Sequence, residues 1–400
     1  MRLIYNDLKE QLGPKYGENV AYQDRISTMI RSHCAEPLEW TMQLNQTLKP
    51  GELAFSDCIF NVLTFERRPL TPADMLTDKM QYRAPGRGVD PNALADVKRI
   101  LADIFPMEDE RTRLMKYYAE SLLCGKSSEK YMVQIVGQGD NGKTTLNKIL
   151  FECFPQYVGF TNVDNLLKQD RGSNKHADWL TDNKAKRILG VEEPPHGAKL
   201  DGALLKEVTG NGVQTARGIY GKPFSFYVNF RIYIMTNSPV LIPNAGVAEI
   251  RRLQTFRAPC EFVATPDPSN PLSKPRDATL LTKFTGKNYK VAMLYVMAEY
   301  FRTYLADGFS VAPEESNYLA AEIFDLPGEV WKLCDYGDAK ADCIAVKDLY
   351  EVLTRAGYNG SKTSLFEDLR NLFARDRRVK CLTTDRNYRV RGLRFRSSVF

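Results

Sequence analysis

The pattern of apolar and polar positions changes character along the 400-residue chain. Before residue 125 many apolar residues recur at the spacing of one helix face, as in Val97, Ile100, Leu101 and Ile104. From Tyr131 onward, compact apolar runs alternate with helical or polar segments. Three of these runs are typical of buried strands: 131–136, 187–191 and 230–236. Strand–helix alternation of this kind predicts an α/β fold with a mostly parallel sheet.

A chain of this length exceeds what one hydrophobic core usually holds, so several domains are expected. We predict a helical N-terminal region at 1–125, an α/β core at 126–265, a helical linker or lid at 266–328 and a basic domain at 329–400. The last region has the outline of a winged-helix module, with two helices followed by a hairpin rich in arginine. A small structural cap is the alternative interpretation of that region.

Composition narrows the class of protein. The apolar share of 43% and the charged share of 26% are ordinary for a folded domain. The eight cysteines are scattered and there are three histidines, so no zinc-type ligand spacing can be drawn. Scattered thiols, and an N-terminus unlike a secretory signal, favour an intracellular protein, expected in a host cytoplasm. The longest apolar stretch, 291–298, is too short to span a bilayer.

Charge is concentrated near the C-terminus. Residues 370–396 hold ten Arg or Lys against Asp376 and Asp385, whereas the net charge of the whole chain is +6. Such a segment indicates either a nucleic-acid contact or a solvated basic surface.

A glycine-rich loop at 137–144 carries the clearest chemistry. It reads Gly-Gln-Gly-Asp-Asn-Gly-Lys-Thr, between a predicted strand and a predicted helix. Backbone N–H groups of such a loop point at phosphates, a lysine supplies a cation, and a threonine hydroxyl can ligate Mg²⁺. The loop predicts ATP and Mg²⁺ binding by Gly137, Gly139, Asp140, Asn141, Gly142, Lys143, Thr144 and Thr145.

Two adjacent acids follow the strand-like run at 187–191. An apolar strand that ends in Glu192 and Glu193 can place one carboxylate near a metal and another beside the attacking water. We assign the metal-side role to Glu192, together with Thr144, and the role of general base to Glu193. The two roles can be reversed, and a solvated strand end is the alternative.

A third strand ends in Asn237, whose amide can orient a water molecule or sense the γ-phosphate. Arg251 and Arg252 come fourteen and fifteen residues later. An arginine donated by a neighbouring subunit would stabilise transition-state charge. Ordinary turn chemistry for the asparagine and a surface location for the arginines are the alternatives.

Taken in order, these motifs resemble those of superfamily 3 helicases, which are members of the AAA+ class, and above all the poxvirus-type and phage primase–helicases. The resemblance covers roughly 50–260. The residues that carry it are the loop at 137–144, Val-Glu-Glu at 191–193, Leu-Lys-Glu-Val-Thr-Gly-Asn at 205–211, Thr-Ala-Arg-Gly-Ile-Tyr-Gly-Lys at 215–222, Thr236-Asn237 and Arg-Arg-Leu at 251–253.

The resemblance implies a hexameric ring around single-stranded DNA, hydrolysis between subunits, 3′ to 5′ movement and a helical collar before the motor. It also implies a channel hairpin at 215–224, in which Arg217, Tyr220 and Lys222 contact DNA, and an arginine finger for which the spacing favours Arg252. No primase motif precedes the motor in this chain, so a primase or polymerase module upstream in a longer protein stays open.

These observations together predict an ATP-dependent replicative DNA helicase of a virus, phage or mobile element. Two alternatives stay open. An ATP-gated origin-binding or loading factor would bind DNA without separating its strands, and a P-loop phosphotransferase would need an acceptor pocket and lid arginines that the sequence does not reveal.

Overall fold

A computed structural model describes residues 44–126, 129–167, 176–195, 198–210, 212–216, 224–242, 245, 247–309, 326–338, 341–355, 362–373, 376, 378–384 and 387–396. The described part begins with a small antiparallel sheet in the order β1-β2-β3, formed by Glu52–Ala54 (β1), Ile59–Asn61 (β2) and Arg67–Arg68 (β3). Two helices follow, at Pro91–Ile104 (α1) and Glu108–Leu123 (α2). The side chain of Asp90 caps the first by accepting from the backbone N–H groups of Asn92 and Ala93.

A five-stranded parallel sheet comes next. Its elements and those between them are Met132–Val136 (β4), Lys143–Cys153 (α3), Val158–Phe160 (β5), His176–Asp182 (α4), Ile188–Glu192 (β6), Gly202–Thr209 (α5), Val213–Ala216 (β7), Phe224–Tyr227 (β8), Arg231–Thr236 (β9), Val247–Arg252 (α6) and Leu253–Arg257 (β10). The strand order is β10-β4-β9-β6-β5, and every pairing is parallel. Strands β7 and β8 form a separate antiparallel hairpin.

Both faces of the parallel sheet are covered, which explains why its strands are almost continuously apolar. On one face, Val133, Ile135 and Tyr233 belong to a core shared with α2 and α3. On the other, Leu189 and Ile234 belong to a second core shared with α5. The sheet is therefore a buried platform whose strand ends are its accessible edges.

The chain continues with two short paired strands and two helices: Glu261–Val263 (β11), Ser273–Pro275 (β12), Leu280–Lys283 (α7) and Lys287–Asp307 (α8). Ala292, Met293 and Phe301 of α8 belong to the same core as α1 and α2. Helix α8 thus packs with the helices that precede the parallel sheet.

The C-terminal region has its own apolar core. Its elements are Leu326–Leu333 (α9), Cys334–Tyr336 (β13), Cys343–Ala345 (β14), Val346–Arg355 (α10), Lys362–Leu372 (α11), Lys380–Thr384 (β15), Asn387–Arg391 (β16) and Leu393–Phe395 (β17). Strands β15 and β16 pair antiparallel with Thr384 opposite Asn387, as expected of the predicted hairpin.

The α/β class and the parallel sheet are confirmed, and the three strand-like runs correspond to β4, β6 and β9. The domain boundaries, the collar and the winged-helix module stay predictions. No helix within the described ranges is both long and apolar enough to cross a membrane.

Candidate nucleotide site

The site is formed where three neighbouring parallel strands end. Val136 of β4 pairs with Thr236 of β9, and Met235 of β9 pairs with Glu192 of β6. Because β9 lies between the other two, its continuation at Asn237 lies between the glycine-rich loop and the two acids. The backbone N–H of Gly137 donates to the carbonyl of Thr236 at 3.2 Å, which ties the start of the loop to β9. Ligands of open α/β sheets bind at such carboxyl ends.

Two of the loop glycines are required by close packing. Gly142 precedes α3 with φ +79°, a left-handed conformation that favours glycine, and a Cβ there would lie 3.0 Å from Ile104. At Gly137 a Cβ would lie 2.5 Å from the carbonyl oxygen of Ala258. Any larger residue at either position would push the loop away from its support.

The Lys143 ammonium is held inside the loop. It donates to the carbonyl oxygens of Gly137 and Gln138, the second at 2.8 Å, and to Oδ1 of Asn141 at 2.9 Å. The carboxamide oxygen of Asn237 lies 3.4 Å away. Only 6% of Lys143 is exposed, and this burial lowers its pKa to about 8, although the negative charge of Glu193 acts in the opposite direction. The lysine is thus surrounded by oxygen acceptors at the position where phosphate oxygens would compete for it.

A segment after β10 supports the loop from behind. The Asn141 side-chain amide donates to the carbonyl of Cys260, and the N–H of Phe262 donates to the carbonyl of Asp140 at 2.9 Å. The N–H of Ala258 donates to the carbonyl of Val136 at 2.8 Å. These contacts fix the backbone of the loop on one side.

The other side of the loop is open. Gly139 and Asp140 are exposed, and Thr144 and Thr145 are half-buried in the first turn of α3. All eight sequence-predicted nucleotide-binding residues therefore lie in one loop and helix start, with a solvent-facing side. Such a helix start favours anions, because its first N–H groups have no partner within the helix.

The two acids have different environments. Glu192 is the last residue of β6 and is half-buried, and its buried Oε1 has no hydrogen-bond partner among the described residues. Glu193 is exposed and adopts φ +50°, while its N–H donates to the carbonyl of Met235 at 3.0 Å. A buried carboxylate oxygen without a partner is costly, and a cation near Glu192 would remove that cost. The donor set of Glu192 and the Thr144 hydroxyl fits the oxygen preference of Mg²⁺.

Asn237 is exposed at the end of β9, and a turn stabilised by polar contacts follows it. The Thr236 hydroxyl donates to the carbonyl of Ser238 and accepts from the N–H of the same residue at 3.3 Å. Gln134, fully buried in β4, accepts from the N–H of Val240 at 3.0 Å and donates to the Thr255 hydroxyl at 2.8 Å. Gln134 therefore positions the turn after Asn237. We did not predict this residue, although a glutamine inside an apolar strand was a visible signal for it.

Arg251 and Arg252 lie away from the loop of their own chain. They end α6, and the next residue, Leu253, pairs with Met132 at the start of β4 rather than at its end. Four residue steps along β4, or about 13 Å, separate Met132 from Val136. Arg252 is half-buried and donates to the carbonyl of Ala248 at 3.1 Å, whereas Arg251 is exposed. The structure brings together the loop, the acids and Asn237, but not the arginine pair.

The predicted channel hairpin has the expected arms. Strands β7 and β8 pair antiparallel with Ala216 opposite Phe224. The Lys126 ammonium lies over the Tyr227 ring of β8 at 4.6 Å. The connecting tip contains Arg217, Tyr220 and Lys222, and it lies outside the described residues.

Two curated relatives resemble the chain in sequence. One is "Putative helicase V13" of Sputnik virophage, which is 24% identical over 310 residues and covers 76% of this chain and 38% of that protein. The other is "Putative helicase L207/L206" of Acanthamoeba polyphaga mimivirus, which is 22% identical over 264 residues and covers 64% and 27%. The chain is similar to viral helicases. It spans less than two fifths of the length of either relative.

No family model matches the chain. Among solved structures, the NrS-1 C-terminal region shares 12% sequence identity with a TM-score of 0.45, over 88% of this chain and 84% of that one. The similarity to the two viral relatives confirms, at the level of viral helicases, the resemblance that the motifs predict.

Proposed function

We propose that the chain is the ATP-hydrolysing motor of a viral DNA helicase of the superfamily 3, AAA+ type. The observation that carries the proposal is the meeting of the glycine-rich loop, Asn237 and the two acids at the ends of three adjacent strands. The similarity to viral helicases supports it independently. A surface loop whose glycine pattern arose by chance would not be expected to lie beside Asn237 and the two acids, which end the neighbouring strands.

Different residues of the site bind the phosphates, hold the metal and support the loop. When bound, ATP supplies the bond to be hydrolysed and Mg²⁺ neutralises its phosphate charge. Lys143 exchanges its carbonyl contacts for phosphate oxygens, and the N–H groups at the start of α3 point at the same charge. Glu192 and Thr144 would hold the metal. Asn141 keeps the loop attached to Cys260 while Lys143 changes partners.

Hydrolysis needs a base and an orienting group. Glu193 is exposed at the end of β6 and can accept a proton from a water molecule. Asn237 lies on the neighbouring strand and is within reach of Lys143, so its amide can orient that water or sense the γ-phosphate. Glu192 and Glu193 are consecutive, but the backbone turns at Glu193, where φ is +50°. One side chain is half-buried and the other exposed, so the two carboxylates can have different roles.

We further propose a hexameric ring that moves 3′ to 5′ on single-stranded DNA. In this ring the hairpin formed by β7 and β8 projects into the channel, where Arg217, Tyr220 and Lys222 hold the strand through phosphate contact and stacking. The position of the arginine pair supports a ring. The pair precedes the end of β10 that lies opposite the start of β4, whereas the loop follows the other end of β4, so a finger there would serve a neighbour's site. A primase or polymerase module in a longer protein is compatible with this arrangement.

Mixing two inactive chains tests the arginine finger. We expect Arg252→Ala to bind ATP normally and to hydrolyse it on the order of a thousandfold more slowly. Mixed with a Lys143→Ala chain, it should recover part of the ATPase activity. The recovered sites would pair the intact loop of one variant with the intact Arg252 of the other.

Arg251→Ala is the matched comparison, because it removes the same charge one residue earlier. No recovery in rings that demonstrably mix both chains would contradict a finger acting in trans. Loss and recovery with Arg251→Ala instead would assign the finger to Arg251.

A loading factor without unwinding activity would show DNA-stimulated ATP hydrolysis but would leave a forked duplex intact. ATP-dependent strand separation on such a fork therefore tests the proposed function.

A further inference from the structure

The C-terminal region carries a basic sheet surface that nucleotide chemistry does not use. Strands β14, β16 and β15 form an antiparallel sheet with β16 in the middle. Successive side chains of a strand point to opposite faces. Val390 is fully buried, whereas its neighbours Arg389 and Arg391 are exposed. One face of this sheet thus covers the local core, and the other faces solvent.

We call the solvent side the basic face. Its six paired positions contain three cations and no acid: Cys343, Arg391 and Lys380 in one row, and Ala345, Arg389 and Leu382 in the next. The three cations are exposed. The positive charge of these six positions is therefore not offset by an acid among them.

The basic face works against the stability of the sheet. Lys380 lies directly opposite Arg391, and like charges at paired positions destabilise a sheet. None of the three cations of the basic face forms an ion pair with a residue that the structure describes. Nearby arginines do find acids: Arg378 lies 3.2 Å from Asp376, and Arg396 lies 3.0 Å from Asp335. A bound polyanion would relieve the repulsion that the fold leaves in place.

Aromatic placement decides which polyanion fits. Proteins that grip single strands usually combine basic grooves with aromatic rings on which bases stack. The six positions of the basic face contain no aromatic residue. Tyr388 of β16 faces the other side, where its ring stacks on Phe366 at 4.4 Å. The basic face therefore suits a phosphate backbone rather than exposed bases.

We propose that the basic face of Lys380, Arg389 and Arg391 binds the phosphate backbone of duplex DNA without reading its sequence. This face is a second DNA-binding surface, distinct from the channel hairpin. The proposal rests on the proposed function only because it takes DNA as the substrate. It also differs from insertion of a helix into the major groove, because a sheet surface meets the duplex.

The test is duplex binding by the full chain carrying Arg389→Gln and Arg391→Gln. On a blunt duplex, which offers no single strand to the channel, we expect the Kd to rise about tenfold. The log–log dependence of affinity on salt should become shallower by roughly 0.9 for each phosphate that is no longer neutralised. ATP hydrolysis without DNA should stay at the wild-type rate, because Arg389 and Arg391 lie in the C-terminal region, whose apolar core is separate from the cores of the parallel sheet.

Lys347→Gln combined with Lys362→Gln is the matched control. Both lysines are exposed, they lie on α10 and α11 of the same region, and the variant removes the same charge. We expect nearly wild-type duplex binding. If this control weakens binding while the basic-face variant does not, the duplex binds to the helices and the proposal is wrong.

Folding is checked with Lys380→Gln. This change removes one member of the repelling pair, so the melting temperature should not fall, yet duplex binding should weaken.

Duplex affinity that is unchanged in all basic-face variants would overturn the proposal, as would a wild-type chain that binds no duplex. The same variants can be tested for binding to vesicles of anionic lipid. If they lose vesicle binding but keep duplex binding, the basic face contacts a membrane and the proposal is wrong. Failure of the proposed function would appear separately, as a wild-type chain without ATP hydrolysis or unwinding.

Discussion

Lys143→Ala should reduce ATP hydrolysis to background, a loss of roughly 10²–10³-fold or more, and abolish unwinding. The ammonium lies within hydrogen-bond distance of Gly137, Gln138 and Asn141, so it is already positioned where phosphate oxygens would enter. Alanine removes the cation and leaves these acceptors facing phosphate charge. Steady-state ATPase kinetics and nucleotide binding measure both effects.

Lys148→Ala is the matched control for this variant. Lys148 lies on the same helix, α3, but is exposed. It should hydrolyse ATP at the wild-type rate, because the substitution leaves the loop intact. Substantial activity in a well-folded Lys143→Ala chain would remove the glycine-rich loop from the mechanism.

Glu193→Gln should bind ATP with nearly unchanged affinity and hydrolyse it about 10²–10⁴-fold more slowly. The amide keeps the shape of the side chain and loses its basicity. Because Glu193 is exposed and its N–H, rather than its carboxylate, bonds to Met235, the substitution should leave the local backbone unchanged. Nucleotide binding and single-turnover hydrolysis separate the two effects.

Glu108→Gln is a suitable control, since Glu108 is an exposed acid on α2, outside the site and outside the motifs that carry the helicase resemblance. Glu192→Gln is expected to weaken the response to Mg²⁺ instead, because the buried, unpartnered oxygen of Glu192 suits a cation. If Glu192→Gln alone binds ATP normally and fails to hydrolyse it, the two carboxylate roles are reversed.

The strand ends of the site were predictable because buried parallel strands leave a plain sequence pattern. The runs that become β4, β6 and β9 are mostly apolar up to Gly137, Glu192 and Asn237, respectively. Sequence also predicted which of these ends carry acids and which carries an amide. It did not reveal that β9 lies between β4 and β6, because strand order depends on pairing between distant segments.

Other features depend on tertiary contacts that leave no local signal. Asn141 bonds to the carbonyl of Cys260, 119 residues away, and any residue type at 260 would offer the same carbonyl. The distance of Arg252 from the loop follows from the pairing of Leu253 with Met132, which sequence spacing does not encode. The net positive charge near the C-terminus was visible in the sequence, but the placement of Lys380 beside Arg389 and Arg391 on one sheet face needed the register of β15 and β16.

Strand separation on a forked duplex tests the central claim most directly. The wild-type chain, the Glu193→Gln chain and the Glu108→Gln chain should be compared on one fork with Mg²⁺, with and without ATP. We predict that the wild-type and Glu108→Gln chains release the displaced strand only when ATP is present, and that Glu193→Gln binds the fork but releases none. ATP hydrolysis by the wild-type chain that is stimulated by the fork while its strands stay paired would contradict a helicase and favour a loading factor.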